Sequence, residues 1–414
     1  MHLALLDIQQ LVTVAARGKR VKTGADMRDL AAIENAAVLI DEDTISWVGH
    51  MEDMPGKPPE GTDILDCSGR VVMPGFVDSH THAVFAGSRE DEFAMRSEGA
   101  TYREIGERGG GILNTVSSVR RASKKDLKKQ ARKYLGGMLR HGTTTVEVKS
   151  GYGLDMDTEI RMLEAIRELR EEEVIGIVST FLGAHAVPPE HRGDKDVYIR
   201  DIIDRMIPYV SSHHLASFCD VFCEAGYFDI ADTTAILAAG KLAGLTPKLH
   251  AEELSATGGA ELAARLGAVS ADHLERVTEA GIGALSAAGV VATLLPGVSF
   301  FLNHPHAPAR KLIDAGVPVA LASDFNPGSC MSYSMPLMMT IACAQMRMTP
   351  EEAITACTLN AAAALKLSHE IGSVEAGKRA DLVVLDIPNY RHLPYHFGEN
   401  HVENVVKNGV VLEF

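Results

Sequence analysis

The sequence predicts an α/β fold, a (βα)8 TIM-like barrel accompanied by a small β-sandwich formed by both termini. Short apolar runs rich in β-branched residues alternate with helical patterns between residues 71 and about 325. Both ends of the chain instead carry short alternating strands with Gly and Pro turns. The length of 414 residues and the hydrophobic content of 46% suit one large barrel with an accessory module.

The two termini are predicted to build the β-sandwich domain from residues 1–70 and 370–414. The stretch AAVLIDEDTISWVG carries the alternation near the N-terminus, and VENVVKNGVVLEF carries it near the C-terminus. Residues 71–369 are assigned to the catalytic barrel. Within them, residues 328–368 are rich in Met, Ala and Leu, so we expect C-terminal helices that follow the last barrel strand.

Eight strand-like runs are expected in the barrel, most of them separated by helices such as DLKKQARKYLGGML. The runs end near His82, Lys149, His185, Glu224, His250, His273, Pro296 and Asp324. In a parallel barrel the carboxyl ends of all strands meet at one rim, where catalytic groups gather. Polar residues at these ends are therefore the candidates for a functional site.

Charge and cysteine content exclude several functional classes. The net charge is −15, and the most basic stretch, residues 120–133, has the spacing of a solvated helix face, so nucleic-acid binding is not expected. Six cysteines without a CxxC pair indicate free thiols in a reducing compartment. The sequence shows no signal peptide and no apolar run of roughly 18 residues. We therefore expect a cytoplasmic enzyme without membrane contact.

Three histidines and one aspartate are the candidate metal ligands. His80 and His82 follow an apolar strand, on which alternate residues point to the same side, and His250 and Asp324 each end another strand. Each feature alone is weak, because a lone histidine is commonly a core residue and a strand-end aspartate commonly caps a turn. Their joint occurrence predicts a site for zinc or iron. The similar HxH at residues 304–306 lies in a Pro-rich loop and is interpreted as surface or substrate-proximal.

Two polar residues lie beside the predicted ligands. Glu253 follows His250 by three residues and is the candidate general base for a metal-activated water. The alternative for Glu253 is an acidic residue at a helix N-terminus. His273 ends the next strand, and it is either a fifth ligand or, as we favour, the group that stabilises the oxyanion.

The loops after the strands offer residues for substrate binding. Arg89 could bind a carboxylate with both arms of its guanidinium, or it could form an ion pair with Glu90 or Asp91. Tyr152 lies in a Gly-flanked turn and could lean over the site, or it is an ordinary loop tyrosine. The RGGGI stretch at residues 108–112 lacks the features of a phosphate loop, and is either a mobile lid or a surface turn.

Together these motifs resemble the amidohydrolase superfamily and, within it, the imidazolonepropionase family. The resemblance runs from about residue 80 to residue 330. The segments that carry it are THAVFAGSREDEFAMR, GGGILNTV, TTTVEVKSGYGLD, FLGAHAVPPE, VFCEAGYFD, LHAEEL, SADHLE, ATLLPGVSFFL and LASDFNPGS. The HxH pair is only moderately specific, whereas EVKSGYG followed by SDFNPGS is far more so.

The resemblance implies a role for individual residues. The implied roles are metal ligands for His80, His82, His250 and Asp324, catalysis for Glu253, His273 and Asp324, substrate contacts for Arg89, Tyr102, Tyr152 and His185, and product contacts for Asn326, Gly328 and Ser329. Glu224 stands where binuclear superfamily members often carry a modified lysine, and Lys149 is better explained as an ion-pair partner of Glu147 or Asp155. One zinc or iron ion per subunit is therefore implied, together with a homodimer.

The implied activity is hydrolysis of the cyclic amide C–N bond of 4-imidazolone-5-propanoate to N-formimidoyl-L-glutamate, a step of histidine degradation. This small substrate carries a carboxylate tail that suits Arg89. The alternative is a deaminase of a purine or pyrimidine ring, which would use the same ligands and release ammonia, but nucleobases carry no carboxylate for Arg89. A non-catalytic metal scaffold is a further alternative, and Glu253 and His273 argue against it because a structural site would be closed.

Overall fold

The computed structural model describes residues 2–100, 104 and 109–413. The described strands are β1 His2–Val12, β2 Ala32–Asp41, β3 Thr44–His50, β4 Asp63–Asp66, β5 Val71–Pro74, β6 Phe76–Asp78, β7 Thr143–Lys149, β8 Gly176–Ala184, β9 Phe218–Cys223, β10 Thr246–Ala251, β11 Ser270–His273, β12 Val291–Leu294, β13 Val319–Leu321, β14 Leu382–Leu385, β15 Val402–Lys407 and β16 Val410–Leu412.

Helices separate most of the barrel strands. The described α-helices are α1 Glu90–Ser97, α2 Ile112–Arg121, α3 Lys124–Arg140, α4 Met156–Glu172, α5 Lys195–Asp201, α6 Ile207–Ser212, α7 Ile230–Leu242, α8 Gly259–Leu266, α9 Glu279–Ala288, α10 Pro296–Leu302, α11 Ala309–Asp314, α12 Met335–Met346, α13 Pro350–Cys357, α14 Leu359–Ala364 and α15 His392–Tyr395. A π-helical turn, Ile202–Met206, joins α5 to α6, and short 3-10 turns lie at Gly24–Arg28, Met51–Asp53 and Pro189–His191.

Strands β6–β13 form a parallel sheet in which each strand pairs with the next along the chain. The circle is completed just beyond β6 and β13. There the main-chain N–H of His82 donates to the oxygen of Phe325 (2.9 Å), and the N–H of Asp324 donates to the oxygen of His80 (3.0 Å). The predicted (βα)8 barrel is confirmed, and each expected strand is present close to the residue at which it was predicted to end.

Strand β7 shows how the barrel separates its two faces. All seven of its residues are buried, although its sequence is TTTVEVK. Val146 and Val148 belong to the main hydrophobic cluster. Because side chains alternate along a strand, Glu147 and Lys149 point to the opposite face, into the barrel interior. The interior at this level is therefore ionic, whereas the contact between barrel and helices is apolar.

Helix α3 contains most of the basic stretch at residues 120–133, whose first two arginines instead end helix α2. Ser123 caps helix α3 by accepting a hydrogen bond from the N–H of Asp126 (3.2 Å). Its buried face carries Leu127, Ala131, Leu135 and Met138. Each large apolar side chain buried in this way stabilises the fold by roughly 1.5–3 kcal/mol. On the outer face the lysines pair with acidic residues of α4, at 2.7 Å for both Lys124–Glu168 and Lys128–Glu168.

Strands from both termini form a second, mixed sheet in the order β16-β15-β14-β5-β1-β2-β3, with β4 paired to β1. Strand β5 runs parallel to β1 and antiparallel to β14, so it joins the N-terminal strands to the C-terminal ones. This sheet has its own hydrophobic cluster, which includes Leu5, Ile40 and Leu382. The expected β-structure built from both termini is thereby confirmed as a separate sheet, and this sheet includes β5, just past residue 70.

The six cysteines are free thiols, and all but Cys343 are buried. Cys219 and Cys223 belong to the hydrophobic core of the barrel. Among the described residues, no helix combines the length and the hydropathy needed to cross a membrane.

Gly75 separates β5 from β6 and thus lies where the chain passes from the terminal sheet into the barrel. Its N–H donates to the oxygen of Asp381 (2.9 Å), and the N–H of Phe76 donates to the oxygen of Gly142 (2.9 Å), so both modules fix this backbone. A Cβ atom on Gly75 would lie 2.3 Å from both Cγ2 and Oγ1 of Thr144. Thr144 is buried and β-branched, so its side chain cannot turn away freely.

Replacing Gly75 with Ala is therefore expected to lower the free energy of unfolding by about 1–3 kcal/mol, the usual effect of overpacking a core. The matched control is Gly283→Ala on the exposed face of α9, where a Cβ atom would meet nothing within 4 Å. That change is expected to raise stability by roughly 0.5–1 kcal/mol, because Ala is the better helix former. Chemical denaturation of both variants measures the difference, and equal stability of the two would contradict the close approach at Gly75.

Candidate active site

The four predicted metal ligands meet at the carboxyl-terminal rim of the barrel. The imidazole centroid of His80 lies 5.5 Å from that of His82 and 4.5 Å from that of His250, and the centroids of His82 and His250 are 5.7 Å apart. The Oδ1 atom of Asp324 lies 3.4 Å from Nε2 of His80 and 3.3 Å from Nε2 of His82. All four residues are buried. The structure thus brings together side chains that are far apart in sequence.

The HxH pair lies just beyond β6 and not on it, because the strand ends at Asp78. The expectation that strand alternation aligns the two histidines is corrected in this detail. Thr81 between them forms an isolated parallel bridge with Phe325, so the backbone at this point is still paired. The hydroxyl of Thr81 also donates a hydrogen bond to the main-chain carbonyl oxygen of Glu147 (2.6 Å). These contacts fix the turn that directs both imidazoles to the centre of the rim.

Several polar atoms in this cluster are buried without a hydrogen-bond partner. They include Nε2 of His80, Nε2 of His250 and Oδ1 of Asp324. Leaving such atoms unpaired costs roughly 1–3 kcal/mol each. Three imidazole nitrogens and one carboxylate oxygen are a donor set that zinc and iron accept. The orphaned lone pairs therefore fit a bound metal cation.

Two aspartates behind the cluster orient the histidines. Oδ2 of Asp272 lies 2.6 Å from Nδ1 of His80, and Oδ2 of Asp220 lies 3.0 Å from Nδ1 of His250. A carboxylate at Nδ1 keeps the proton on that nitrogen and leaves Nε2 with a free lone pair. Neither aspartate was identified from the sequence. Both lie on barrel strands, and their only sequence signal is an acidic residue within an apolar run.

A buried charge network extends below these aspartates. Nζ of Lys149 lies 2.7 Å from Asp220 and 2.9 Å from Glu147, and Nζ of Lys248 lies 3.1 Å from Glu147. Burial opposes the charged form of Lys149, but the surrounding carboxylates raise its pKa above the ordinary value. Of the two partners considered for Lys149, Glu147 is confirmed. Asp155 pairs elsewhere, with Arg120 at 2.9 Å.

Glu253 and His273 face each other in the same rim. Oε2 of Glu253 lies 3.7 Å from Nε2 of His273, and Oε2 of Glu275 lies 3.7 Å from Nδ1 of that ring. Burial raises the pKa of Glu253 to about 7, although the neighbouring His273 opposes the rise. Burial would lower the pKa of His273, but Glu253 and Glu275 raise it to about 10. The pair therefore consists of a weakly acidic carboxyl and a strongly basic imidazole.

The loop that carries Glu253 is held from below. Glu224 accepts hydrogen bonds from the N–H of Leu254 (2.9 Å) and from the hydroxyl of Ser255. The next helix, α8, begins only at Gly259, so Glu253 is not the helix N-terminal acid that was the alternative interpretation. Because Glu224 is occupied in anchoring this loop, the end of β9 offers no further group to the metal cluster.

Most of the predicted substrate-contact residues line one cavity of about 790 Å³ above the cluster of predicted metal ligands. The predicted residues in its wall are Arg89, Tyr152, His185, Asn326, Gly328 and Ser329. Tyr102 lies outside the described residues. His304 of the second HxH also lines the cavity, in line with the substrate-proximal interpretation.

Arg89 and a second arginine form one wall of this cavity. The ion-pair partner of Arg89 is Glu92, whose Oε2 lies 2.8 Å from Nη2, rather than Glu90 or Asp91. Arg96 donates to the oxygen of Gly328 (3.3 Å), and its guanidinium lies 5.2 Å from the ring centroid of Phe301. Burial lowers the pKa of Arg96, and Arg89 adds to this effect. Arg96 was not identified from the sequence, although its position seven residues after Arg89 places both on one side of α1.

Aromatic rings also line this cavity. The His185 ring stacks on His82 with centroids 5.0 Å apart, and the Tyr152 ring lies 5.6 Å from His82. Nδ1 of His185 donates to the oxygen of Gly151 (3.0 Å), and burial holds the pKa of His185 well below its ordinary value. A neutral imidazole with its second nitrogen free therefore lies beside the predicted ligands.

Asn326 shapes the loop that follows Asp324. Its Oδ1 accepts hydrogen bonds from the main-chain N–H of Gly328 (2.8 Å) and of Ser329 (2.9 Å). Its Nδ2 donates to the main-chain carbonyl oxygen of Asp324 (2.7 Å). The side chain is thus committed to the turn. A Cβ atom on Gly328 would lie 2.2 Å from Nη1 of Arg89, so glycine is needed for the guanidinium to lie against this loop.

The chain is similar to known proteins over nearly its whole length. Residues 234–412 match the sequence model of the amidohydrolase family. The chain is 49% identical over 407 residues to the imidazolonepropionase of Geobacillus kaustophilus (strain HTA426), covering 98% of this chain and 96% of that protein. It is 49% identical over 414 residues to the imidazolonepropionase of Porphyromonas gingivalis (strain ATCC BAA-308 / W83), covering 100% of this chain and 97% of that protein.

Solved structures show the same fold at lower identity. The E. coli guanine deaminase superposes with a TM-score of 0.74 at 15% identity, covering 100% of this chain and 99% of that chain. An adenosine deaminase from Xanthomonas campestris with bound zinc superposes with a TM-score of 0.72 at 18% identity, covering 99% and 92%. At this identity the likeness concerns the fold alone.

Replacing Asp272 with Asn tests the orientation of His80. The amide oxygen can still accept the hydrogen bond from Nδ1, but it lacks the negative charge that makes Nε2 a strong electron-pair donor to a metal. Affinity for zinc is therefore expected to fall about 10–100-fold. Chelator competition on the purified variant measures this affinity. The control is Asp381→Asn, which removes a buried carboxylate paired with Lys407 in the terminal sheet (2.6 Å). A similar zinc affinity in the two variants would remove Asp272 from this role.

Proposed function

This chain belongs to the imidazolonepropionase family of amidohydrolases, and from that membership we propose its reaction and the part that each residue plays in it. The reaction is hydrolysis of the cyclic amide C–N bond of 4-imidazolone-5-propanoate, which yields N-formimidoyl-L-glutamate in histidine degradation. The observation that carries the mechanism is the pairing of Glu253 with His273, 3.7 Å apart, in the cavity above the histidine–aspartate cluster.

One metal ion per subunit, zinc or iron, would be held by His80, His82, His250 and Asp324. Such an ion would supply Lewis acidity that polarises a carbonyl and makes water nucleophilic at neutral pH. A single ion is supported by the surroundings, because Lys149 is buried in ion pairs and Glu224 is bonded to the loop after β10. His273 is kept as a catalytic group rather than a fifth ligand because two carboxylates flank its ring.

Glu253 moves the proton. Its carboxylate lies on the cavity wall with 17% of the side chain exposed, so a water molecule in the cavity can reach it. As the water oxygen bonds to the ring carbonyl carbon, Glu253 accepts one of the water protons. It then donates this proton to the ring nitrogen as the C–N bond breaks. Because the bond lies within a ring, the single product carries both new groups: a carboxylic acid, which ionises, and a protonated formimidoyl nitrogen, so the two hydrogens and the oxygen of water are all accounted for.

His273 stabilises the charge that develops on the carbonyl oxygen. With a pKa raised to about 10, the ring is protonated at neutral pH and can donate an N–H to that oxygen. Glu275, 3.7 Å from Nδ1, supplies a second negative charge that favours the protonated ring. Asp324 would contribute as a metal ligand, and it lines the same cavity as Glu253 and His273.

The propionate tail is bound by the two-arginine wall. A carboxylate is recognised by guanidinium groups through paired, charge-assisted hydrogen bonds. Arg89 already pairs with Glu92, which offsets much of its charge. Among the described residues no carboxylate lies within ion-pair distance of Arg96. We therefore place the tail between Arg89 and Arg96, with Tyr152 and His185 against the ring.

The setting of the reaction follows the sequence resemblance. We propose a homodimer in the cytoplasm, where the six free thiols would remain reduced. The substrate is a small molecule, and neither nucleic acid nor membrane is needed as a partner. The loop at Gly109–Gly111, whose last residue donates its N–H to Glu92 (3.1 Å), is the candidate lid.

The deciding experiment is turnover of 4-imidazolone-5-propanoate by the metal-loaded enzyme with identification of the products. N-Formimidoyl-L-glutamate without release of ammonia is the expected result. Ammonia release from a purine or pyrimidine ring, with no consumption of the imidazolone, would support the deaminase alternative instead.

Glu253→Gln is expected to reduce kcat about 10²–10⁴-fold while metal content is unchanged. The wild-type kcat/KM should fall as the pH drops through about 7, because Glu253 must be unprotonated to accept the proton and its pKa is about 7. The control is Glu252→Gln. The pKa of Glu252 is also raised to about 7 by burial, but this residue does not line the cavity. An acid limb that disappears in the Glu252 variant and persists in the Glu253 variant would reverse the assignment.

Arg96→Gln is expected to lower kcat/KM about 10–100-fold, chiefly through KM, because it removes a charged hydrogen-bond partner of the tail. Steady-state kinetics on 4-imidazolone-5-propanoate measure the change. Arg132→Gln on the outer surface of α3, where the arginine pairs with Glu172 (2.6 Å), serves as the matched control. An unchanged KM in the Arg96 variant would show that Arg89 alone binds the tail.

A further inference from the structure

A second group of imidazoles lies outside the catalytic cavity, near the C-terminus. His392 and His396 are one helical turn apart at α15, and His401 immediately precedes β15. The ring centroids are 5.2 Å apart for His392–His396, 5.6 Å for His392–His401 and 5.0 Å for His396–His401. One nitrogen from each ring lies within 4.8 Å of the others. None of the three residues lines the catalytic cavity.

These spacings are those of imidazoles around one ion. Three rings that share a tetrahedral zinc ion, with Zn–N of roughly 2.0–2.1 Å, have centroids roughly 5 Å apart. The candidate catalytic cluster of the same chain gives 4.5 Å, 5.5 Å and 5.7 Å for its three histidines. The C-terminal group therefore repeats the geometry of the cluster that the fold builds for a metal.

The hydrogen bond made by His401 also suits a bound cation. Nε2 of His401 lies 3.1 Å from the oxygen of His396 and must donate to it, which leaves Nδ1 with its lone pair. Arg391, which precedes His392 in the chain, is paired with Glu351 at 2.8 Å, so it does not oppose a cation at full strength.

We propose that His392, His396 and His401 form a second metal site, open to solvent, for a borderline divalent cation such as zinc. Three neutral imidazoles with a remaining position for water are a known ligand set for this ion. Helix α15 is tied to α12 of the barrel by the bond from Thr340 Oγ1 to the oxygen of Pro394 (3.0 Å). His401 leads into the terminal sheet. The ion would thus link the last helix on the barrel to the terminal sheet.

The test is a zinc titration of tag-free enzyme whose catalytic site has first been saturated with zinc. Equilibrium dialysis is expected to show one further zinc equivalent in the wild type and its loss in His396→Gln. The matched control, His369→Gln, removes an exposed histidine that pairs with Glu370 (3.1 Å), and should retain the extra equivalent. Before the titration begins, the zinc-saturated wild type and both variants should turn over substrate at the same rate. Equal rates also show that the variants are folded.

Copper(II) provides a second readout on the same proteins. The electron paramagnetic resonance spectrum of one added copper(II) equivalent is expected to show coupling to several imidazole nitrogens in the wild type. This coupling is expected to disappear in His392→Ala. Equal zinc stoichiometry in the wild type and His396→Gln would overturn the proposal. A copper spectrum that is unchanged by the His392 substitution would overturn it too. Neither outcome depends on which reaction the barrel catalyses.

Discussion

The site depends on five ionised side chains buried inside the barrel. Two lysines, Lys149 and Lys248, face three carboxylates, Glu147, Asp220 and Asp272, and none is more than 1% exposed. Breaking such a pair leaves an uncompensated buried charge, at a cost of roughly 3–5 kcal/mol. The network has one carboxylate in excess, and two of its carboxylates hold imidazoles. A cation among those imidazoles would balance the excess, so the charge of the barrel interior and the ligand set above it are parts of one arrangement.

Closure of the barrel and assembly of the site involve the same backbone. The bonds that join the first strand to the last run from His82 to Phe325 and from Asp324 to His80, so ligand residues themselves complete the circle. Asp324 has a positive φ of 47°, an uncommon conformation for a residue other than glycine. The serine hydroxyl of Ser323 donates to the buried Asp78, which fixes the chain on either side of the closure. A barrel that failed to close would lose the metal ligands at the same time.

The sequence was sufficient for the barrel and for the residues that end its strands. Strand ends are visible as apolar runs that stop at a polar residue, and this criterion led to His250, His273 and Asp324. It could not identify Asp272 and Asp220 as partners of His80 and His250, because those contacts depend on which strands are neighbours and on their register. In the structure His250 pairs in register with Asp272 on the adjacent strand. Arg96 could have been identified from the sequence, because it follows Arg89 by two helical turns and so lies on the same side of the helix.

The arrangement around His273 explains why one carboxylate can act as base while a second stays beside it. Glu253 and Glu275 approach opposite nitrogens of the ring, each at 3.7 Å. The pKa of His273 is about 10 and that of Glu253 about 7, so between these two pH values the ring is protonated and most Glu253 carboxylates are free to accept a proton. When Glu253 is protonated, it no longer stabilises the imidazolium. Glu275 still does, because its carboxylate lies 3.7 Å from the other nitrogen. The ring can therefore remain charged, and donate to the carbonyl oxygen, throughout the interval in which Glu253 carries the proton from water to the leaving nitrogen.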